Sequence, residues 1–153
     1  MALETRRYGP EVTNNTSIHC LVLGVGPDLK IPLVREFRRR DPLWKLPGGR
    51  NQPGETPLQT ALREYEEEVG LRIASENLAE VAVFPEQSHT THLFVAHLGR
   101  YTGLKKQGEE NGEASLEIEL FRQDAVMQQT LLRRHRRLLD QSRPGLQRLG
   151  IDL

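Results

Sequence analysis

The segment that most constrains the fold is residues 56–70, TPLQTALREYEEEVG, which carries helix signals at both of its ends. Thr56 can cap the N-terminus, Pro57 suits the first helical position, and Gln59 completes a capping box. Gly70 suits the left-handed residue that commonly follows a helix. The sequence therefore predicts one well-delimited helix here, directly after a loop rich in glycine.

The two faces of this helix differ in character. With about 100° of rotation per residue and Leu58 at zero, positions 62, 65 and 69 fall within about 40° of Leu58 and form an apolar stripe. Glu64, Glu67 and Glu68 fall between about 180° and 280°, in one acidic sector, whereas Glu66 lies on the opposite flank. The stripe predicts a face that packs against the core.

The acidic sector has the wrong charge for its position. Glutamates near the C-terminal end of a helix oppose the helix dipole and repel each other, at a cost of about a few tenths of a kcal/mol per contact. A solvated helix face is the alternative interpretation, but such a face usually alternates its charges. Because carboxylates are the usual ligands of magnesium and manganese, the sequence favours a divalent metal site at Glu64, Glu67 and Glu68.

Residues 49–71 also match a spaced pattern that runs G, five residues, E, seven residues, R-E, an apolar residue, one residue, E-E, one residue, G and an apolar residue. This pattern resembles the Nudix box of the Nudix hydrolases. The resemblance implies an α/β protein with the Nudix fold, a mixed β-sheet in an α/β/α sandwich. It also implies hydrolysis of a nucleoside diphosphate linked to a further group, with Mg²⁺ or Mn²⁺ as the cofactor.

The resemblance assigns roles to the residues of the box. It implies that Glu64, Glu67 and Glu68 are metal ligands, with the Gly49 carbonyl as an additional ligand. It also implies that two further members of the catalytic set, Arg63 and Glu55, orient the glutamates. The identity of the general base stays open, because family members use either a box glutamate or an acid from a later loop.

Two candidates for such a later acid are Glu113 and Glu117. Glu113 lies in residues 104–115, LKKQGEENGEAS, which the composition predicts to be a polar loop. Glu117 opens the strand predicted to follow that loop. For both residues the alternative is an ordinary solvated carboxylate.

The substrate prediction rests on residues 34–49, VREFRRRDPLWKLPGG. This segment resembles the entry to the box in nucleoside-diphosphate-sugar pyrophosphatases, and it predicts an ADP-ribose-like nucleotide sugar as the substrate. Arg35 and Arg38 are expected to bind substrate phosphates, together with the backbone of Gly48 and Gly49. The alternatives are a nucleoside triphosphate or an RNA 5′ end, and a Nudix module that binds a nucleotide without hydrolysis.

Length and charge limit the other classes of function. The 153 residues predict one domain at 17–153 after a polar arm at 1–16. The charges of the 21 basic and 21 acidic residues cancel, so no overall electrostatic field indicates a nucleic-acid coat or a membrane-surface protein. The partner predicted is a nucleotide, with neither a membrane nor nucleic acid, and the chain is expected to be a cytoplasmic monomer or homodimer. The basic run at 133–137, RRHRR, is interpreted as a solvated helix face.

Apolar runs bounded by turn residues predict the remaining elements. Strands are expected at residues 17–25, 29–37, 78–84, 91–98 and 116–121, and a C-terminal helix at residues 124–140. Cys20 lies within the first of these runs and is expected to be buried.

Overall fold

The computed structural model describes residues 5–8, 17–36, 42–105, 107–110 and 113–153, without the side chains of 107–110 and 113–115. The strands are β1 (Arg6–Arg7), β2 (Ile18–Val25), β3 (Lys30–Glu36), β4 (Gly48–Arg50), β5 (Leu78–Pro85), β6 (Thr90–His97), β7 (Gln107–Glu110) and β8 (Glu113–Arg122). The helices are α1 (Pro57–Val69), α2 (Gln123–Val126) and α3 (Arg133–Arg148), with 3₁₀ turns at Pro27–Leu29 and Ser75–Asn77.

The strands form two sheets. The larger has the order β1-β5-β6-β2-β4 and is mixed, because β2 runs parallel to β6 and β1 to β5 while the remaining pairs are antiparallel. The smaller, β3-β8-β7, is antiparallel. The prediction of an α/β fold with a mixed sheet is confirmed.

The alternation of side chains along β2 places the two long helices on opposite faces of the larger sheet. Cys20 and Val22 lie in one buried cluster with Tyr65 and Val69 of α1. The intervening Leu21 and Leu23 lie in a second buried cluster, which contains Leu138, Leu139 and Leu146 of α3. The sheet is therefore sandwiched between α1 and α3, and the prediction that Cys20 is buried is confirmed.

Helix α1 follows the prediction at both ends. The Thr56 hydroxyl accepts a hydrogen bond from the Gln59 backbone N–H, the Gln59 side chain accepts one from the Thr56 N–H, and Gly70 has a left-handed φ of 88°. Tyr65 and Val69 are fully buried, while Leu58 and Leu62 pack against the same cluster from its edge. The predicted apolar stripe is confirmed.

The predicted helix at 124–140 is wrong in its bounds. Only the four residues of α2 are helical before a break, and α3 then begins at Arg133 and continues to Arg148. The break has a hydrogen-bonding cause: Trp44 donates its N–H to Thr130 O and accepts the Leu132 N–H at its carbonyl, which holds this segment extended beside Trp44. Apolar periodicity alone does not show such a tertiary contact.

The predicted polar loop at 104–115 is also wrong in part, because β7 and the first residues of β8 pair within it. Strand pairing needs only backbone groups, so a polar segment next to an established strand can extend a sheet. At the other edge, Arg6 and Arg7 of the predicted arm pair with β5. In the part of the chain that the structure describes, no helix has the length and apolar character needed to cross a membrane.

Candidate active site

A pocket of about 730 Å³ opens where α1, β4 and the start of α3 come together. It contains residues from both faces of the sheet, because β4 is an edge strand that both helices can reach. We call one group of lining residues the α1-side wall: Arg63, Glu64, Glu67 and Glu68. We call another the α3-side wall: His19, Lys45, Arg50, Arg134 and His135.

Gly48 and Gly49 form the backbone between the two walls, and neither position has room for a side chain. A Cβ on Gly48 would lie 1.9 Å from the Cys20 carbonyl oxygen, and one on Gly49 would lie 2.5 Å from the Glu64 carboxyl carbon. The Gly48 N–H donates a 3.0 Å hydrogen bond to Oε2 of Glu68, which is buried. The glycine pair thus lets the backbone approach the acidic helix face directly.

Two glutamates of the α1-side wall converge on one cationic atom. Nη1 of Arg63 lies 2.9 Å from Glu64 Oε1 and 3.2 Å from Glu67 Oε2, and both contacts are hydrogen bonds. Burial raises the pKa of Glu64 despite the opposing effect of Arg63. The carboxylates are therefore drawn together at a point where one of them is poorly solvated.

Glu55 fixes the orientation of Arg63. Its Oε2 accepts from Arg63 Nε at 2.7 Å and its Oε1 from Arg63 Nη2 at 2.9 Å, a bidentate pair. Arg63 Nη2 also donates to the Arg50 carbonyl at 2.9 Å. The hydrogen bonds from Arg63 lower the pKa of Glu55 to about 2, so this carboxylate stays charged at neutral pH.

The C-terminal end of α1 has a separate positive contact. Lys105 donates from Nζ to the Glu67 carbonyl and from its backbone N–H to the Val69 carbonyl, both at 2.9 Å. A cation at this end compensates the helix dipole that the glutamates oppose. The unfavourable charge seen in the sequence is therefore offset by Arg63 on the helix face and by Lys105 at the helix end.

Among the described residues, no three His, Cys, Asp or Glu side chains are arranged to hold a metal ion. The reason lies in the contacts above, because Glu64 and Glu67 face Arg63 and Glu68 is bound to Gly48. The chemistry of the donor set nonetheless fits a hard divalent cation. Two carboxylates within 3.2 Å of one cationic atom, beside a glycine backbone, are oxygen donors of the kind that magnesium prefers.

The α3-side wall is built from imidazole and guanidinium groups. His135 is 4% exposed, and its Nδ1 accepts a 3.0 Å hydrogen bond from the Leu46 N–H. Burial lowers the pKa of His135 to about 3 and that of His19 to about 4, so both rings are neutral at pH 7. The Arg50 Nε donates to His19 Nε2 at 2.9 Å, and the rings of His19 and His89 lie 4.6 Å apart.

Other predicted site residues lie elsewhere. Arg35 pairs with Glu117 at 2.5 Å and lies over the Trp44 ring at 4.4 Å, and neither Arg35 nor Glu117 lines the pocket. Arg38 and the side chain of Glu113 lie outside the described part of the chain. Of the residues proposed from the sequence, the pocket collects Gly48, Gly49 and the whole α1-side wall, and Glu55 contacts that wall through Arg63.

The α3-side wall was not identified from the sequence. Arg134 and His135 belong to the basic run 133–137, which was interpreted as solvated, yet both line the pocket. The signal was present in the helix periodicity: His135 heads a stripe that continues through buried residues at positions 138, 139, 142 and 146. This periodicity indicates that His135 lies on the buried face of the helix.

Comparison with known proteins gives one family match and several partial matches. The profile described as NUDIX domain matches residues 16–141. A putative 8-oxo-dGTP diphosphatase of Bacillus subtilis is 38% identical over 80 residues, which are 52% of each protein. An RNA pyrophosphohydrolase of Mesorhizobium japonicum is 42% identical over 69 residues, 44% of this chain and 39% of that protein.

The chain spans about half or less of the length of these and the other curated relatives it matches. Among solved structures, an ADP compounds hydrolase superposes with a TM-score of 0.69 at 18% identity. That superposition covers 92% of this chain and 78% of the other. At this level of identity the likeness concerns the fold.

Proposed function

Because the chain belongs to the Nudix hydrolase family, we propose that it is a divalent-metal-dependent pyrophosphohydrolase, which cleaves a nucleoside diphosphate linked to a further group. The observation that carries the proposal is the convergence of Glu64 and Glu67 on Arg63 Nη1, beside the Gly48–Gly49 backbone. This convergence supplies paired carboxylates and an accessible backbone in one pocket. Both suit a phosphoric anhydride, because carboxylates can hold a divalent metal and an open backbone lets phosphate oxygens approach.

The proposed metal ligands are Glu64, Glu67 and Glu68, with the Gly49 carbonyl as a further donor. These residues would hold Mg²⁺ or Mn²⁺, which would supply charge neutralisation at the phosphates and a lower pKa for a bound water molecule. The carboxylates present the hard oxygen ligands that either ion accepts.

Arg63 and Glu55 act as positioning residues in this proposal. The bidentate pair fixes the Arg63 guanidinium, and the guanidinium fixes two carboxylates through Nη1. Glu68 has a second role besides that of a proposed ligand, since its Oε2 accepts from the Gly48 N–H and so ties the glycine backbone to α1. These contacts set the distance between the backbone and the acidic face before any substrate enters.

Two classes of substrate fit the proposed hydrolysis. The sequence favours an ADP-ribose-like nucleotide sugar, and a solved structure of similar fold is called an ADP compounds hydrolase. Two partial relatives are named for 8-oxo-dGTP and for RNA, which supports a triphosphate substrate instead. The alternative to hydrolysis of either class is a nucleotide-binding module without turnover.

A substrate panel tests the proposal. The purified chain is incubated with ADP-ribose, nucleoside triphosphates and a 5′-triphosphate RNA, each with Mg²⁺ and separately with Mn²⁺, and the products are separated by chromatography. We expect hydrolysis that chelation with EDTA abolishes. No hydrolysis of any compound with either metal, together with a nucleotide-dependent rise in melting temperature, would support the non-catalytic module instead.

A further inference from the structure

The α3-side wall has no role in the proposed hydrolysis, although it forms much of the pocket surface. Lys45, Arg50 and Arg134 bring three positive charges to it, and His19 and His135 add imidazole nitrogen atoms. Among the described residues that line the pocket, none is Phe, Tyr or Trp. The wall therefore offers charge and hydrogen-bond donors, and the aromatic rings among its described residues are the imidazoles of His19 and His135.

Arg134 is held in place by the strands beneath it. Its Nε lies 3.3 Å from Glu86 Oε1, and its Nη2 lies 3.0 Å from Glu86 Oε2 and 2.8 Å from His89 Nε2. Nη2 also donates to the Thr91 hydroxyl. Nη1 forms no hydrogen bond with any residue that the structure describes, although it carries two N–H donors. The guanidinium is thus fixed along one edge and has unused donors on its remaining nitrogen.

The neighbouring His135 presents a second unused donor. Since its Nδ1 accepts the Leu46 N–H, its neutral ring carries the proton on Nε2, and Nε2 has no acceptor among the described residues. The side chain is 4% exposed and lines the pocket. The ring is thus almost fully buried, and its unpartnered Nε2 donor suits a ligand atom in the pocket that accepts a hydrogen bond.

The backbone at this point adds a third element. Helix α3 begins at Arg133, and the N-cap position is Leu132, which has no side-chain capping hydrogen bond and also lines the pocket. The first N–H groups of a 16-residue helix carry the positive end of its dipole and favour an anion. An uncapped helix start, a fixed guanidinium and a buried imidazole donor together fit a phosphate group.

We propose that Arg134, with the start of α3 and His135, binds a substrate phosphate that lies beyond the anhydride bond cleaved at the α1-side wall. The inference rests on the proposed pyrophosphohydrolase function and deepens it. A nucleoside triphosphate or a 5′-triphosphate RNA carries such a third phosphate, whereas ADP-ribose carries only the two phosphates of its anhydride. Arg134 is then the residue that selects triphosphates over nucleotide sugars.

Arg134→Gln is the direct test, and Arg137→Gln is its matched control. Both arginines lie on α3 and contact Glu86, but Arg137 does not line this pocket. Steady-state kinetics with a nucleoside triphosphate and with ADP-ribose are compared in the three proteins, with melting temperatures to establish folding. Arg134→Lys, which keeps the charge and loses the planar fork, serves if Arg134→Gln does not fold.

We expect Arg134→Gln to raise KM for the triphosphate about 10- to 100-fold, as the loss of a charge-assisted hydrogen bond would, with kcat changed less. Arg134→Lys should raise it by a smaller factor. ADP-ribose hydrolysis in Arg134→Gln should stay within about threefold of wild type, because ADP-ribose has no third phosphate for Arg134 to bind. Both reactions in Arg137→Gln should also stay within about threefold, because the Arg137 side chain is 59% exposed and such ion pairs contribute little.

The opposing results are distinct from those that refute the hydrolase proposal. A wild type that hydrolyses ADP-ribose in preference to triphosphates, or equal losses in Arg134→Gln and Arg137→Gln, overturns the role of Arg134 and leaves pyrophosphohydrolase activity intact. If the wild type hydrolyses neither compound, calorimetric titration of the triphosphate with Mg²⁺ into the three proteins still decides the role of Arg134. Equal affinity in all three then overturns it.

Discussion

The two walls of the pocket hold their side chains in place in opposite ways. The α1-side wall collects carboxylates that repel one another and depends on a shared cation, Arg63, to hold two of them. The α3-side wall keeps its histidines neutral through burial, and each ring accepts one hydrogen bond, His135 from the Leu46 N–H and His19 from the Arg50 guanidinium. We therefore expect that removing a carboxylate charge from the α1-side wall keeps or raises the stability of the fold. Removing an imidazole from the α3-side wall should lower it.

The largest expected effect is on the α1-side wall. Glu64→Gln and Glu67→Gln should each lower kcat by at least about 100-fold, because loss of a residue that merely supports a metal ligand already costs about 10- to 100-fold. The melting temperature should stay the same or rise, since like-charge repulsion falls. Enzyme assays with thermal unfolding measure both.

Glu66→Gln is the control for that pair. It makes the same chemical change on the same helix, but Glu66 contacts the exposed Arg72 and does not line the pocket. Its activity should remain within about twofold of wild type, because a surface ion pair contributes little. Unchanged turnover in both Glu64→Gln and Glu67→Gln would contradict the proposed metal site.

Glu55, which contacts the α1-side wall through Arg63, sharpens the comparison. Glu55→Gln should lower activity about 10- to 100-fold, the range typical of a residue that orients metal ligands. Unlike Glu64→Gln, it should also lower the melting temperature, because the pKa of Glu55 is depressed to about 2 and its charged form stabilises the fold above its ordinary pKa. A variant as stable as wild type would show that the Arg63–Glu55 pair is not a structural support.

His135 tests the α3-side wall through pH. The pKa of His135 is about 3 in the folded chain, below the ordinary value. At a pH between these two pKa values, the unfolded chain binds a proton at His135 that the folded chain does not. Stability from this group is present above the unfolded pKa and is lost as pH falls, at about 1.4 kcal/mol per pH unit.

Urea unfolding at pH 6.5 and pH 5 measures this loss in wild type and in His135→Asn. The fall in free energy of unfolding should be smaller in the variant by about 2 kcal/mol, and His19 is present in both proteins, so its titration largely cancels. At pH 7.5 the variant should already be less stable, by about 1–3 kcal/mol if the Leu46 N–H loses its acceptor. If the free energy of unfolding falls equally with pH in wild type and in His135→Asn, His135 is not held neutral by burial.

The smallest expected effect lies beneath the α1-side wall. The Tyr65 hydroxyl is buried and has no hydrogen-bond partner among the residues that the structure describes. Tyr65→Phe should therefore raise the free energy of unfolding by about 1 kcal/mol. Tyr101→Phe is the contrast, because that hydroxyl contacts the Pro27 and Lys30 carbonyls and its loss should lower stability by about 1 kcal/mol. Denaturant titration distinguishes the two signs.

The local signals in the sequence were sufficient for the α1-side wall. Capping residues, apolar spacing and the clustered glutamates lie within 15 residues of one another, so the helix and the direction of its acidic face follow from helix geometry alone. The same is true of β2, β3, β5 and β6, whose apolar runs correspond closely to the strands. Local patterning predicts what a single element presents.

The α3-side wall required tertiary information. The extended segment before α3 is held by Trp44, which lies 87 residues before Leu131 and hydrogen-bonds to the backbone of Thr130 and Leu132. No local pattern encodes that pairing. Arg134 likewise lines the pocket while its guanidinium is held by Glu86 and His89, in the turn between β5 and β6, and by Thr91 of β6. A run of charged residues in sequence does not show which of them will form ion pairs or hydrogen bonds with a neighbouring element.

The shortness of β4 has a consequence for how the protein behaves among its own copies. This strand of three residues forms one edge of the larger sheet, and it supplies the glycine backbone of the pocket. A long open edge would present a row of unpaired backbone groups on which another chain could add a strand. With so few residues, β4 can stay open to a nucleotide while offering little template for aggregation. Variants that lengthen this strand should lose solubility before they lose the fold.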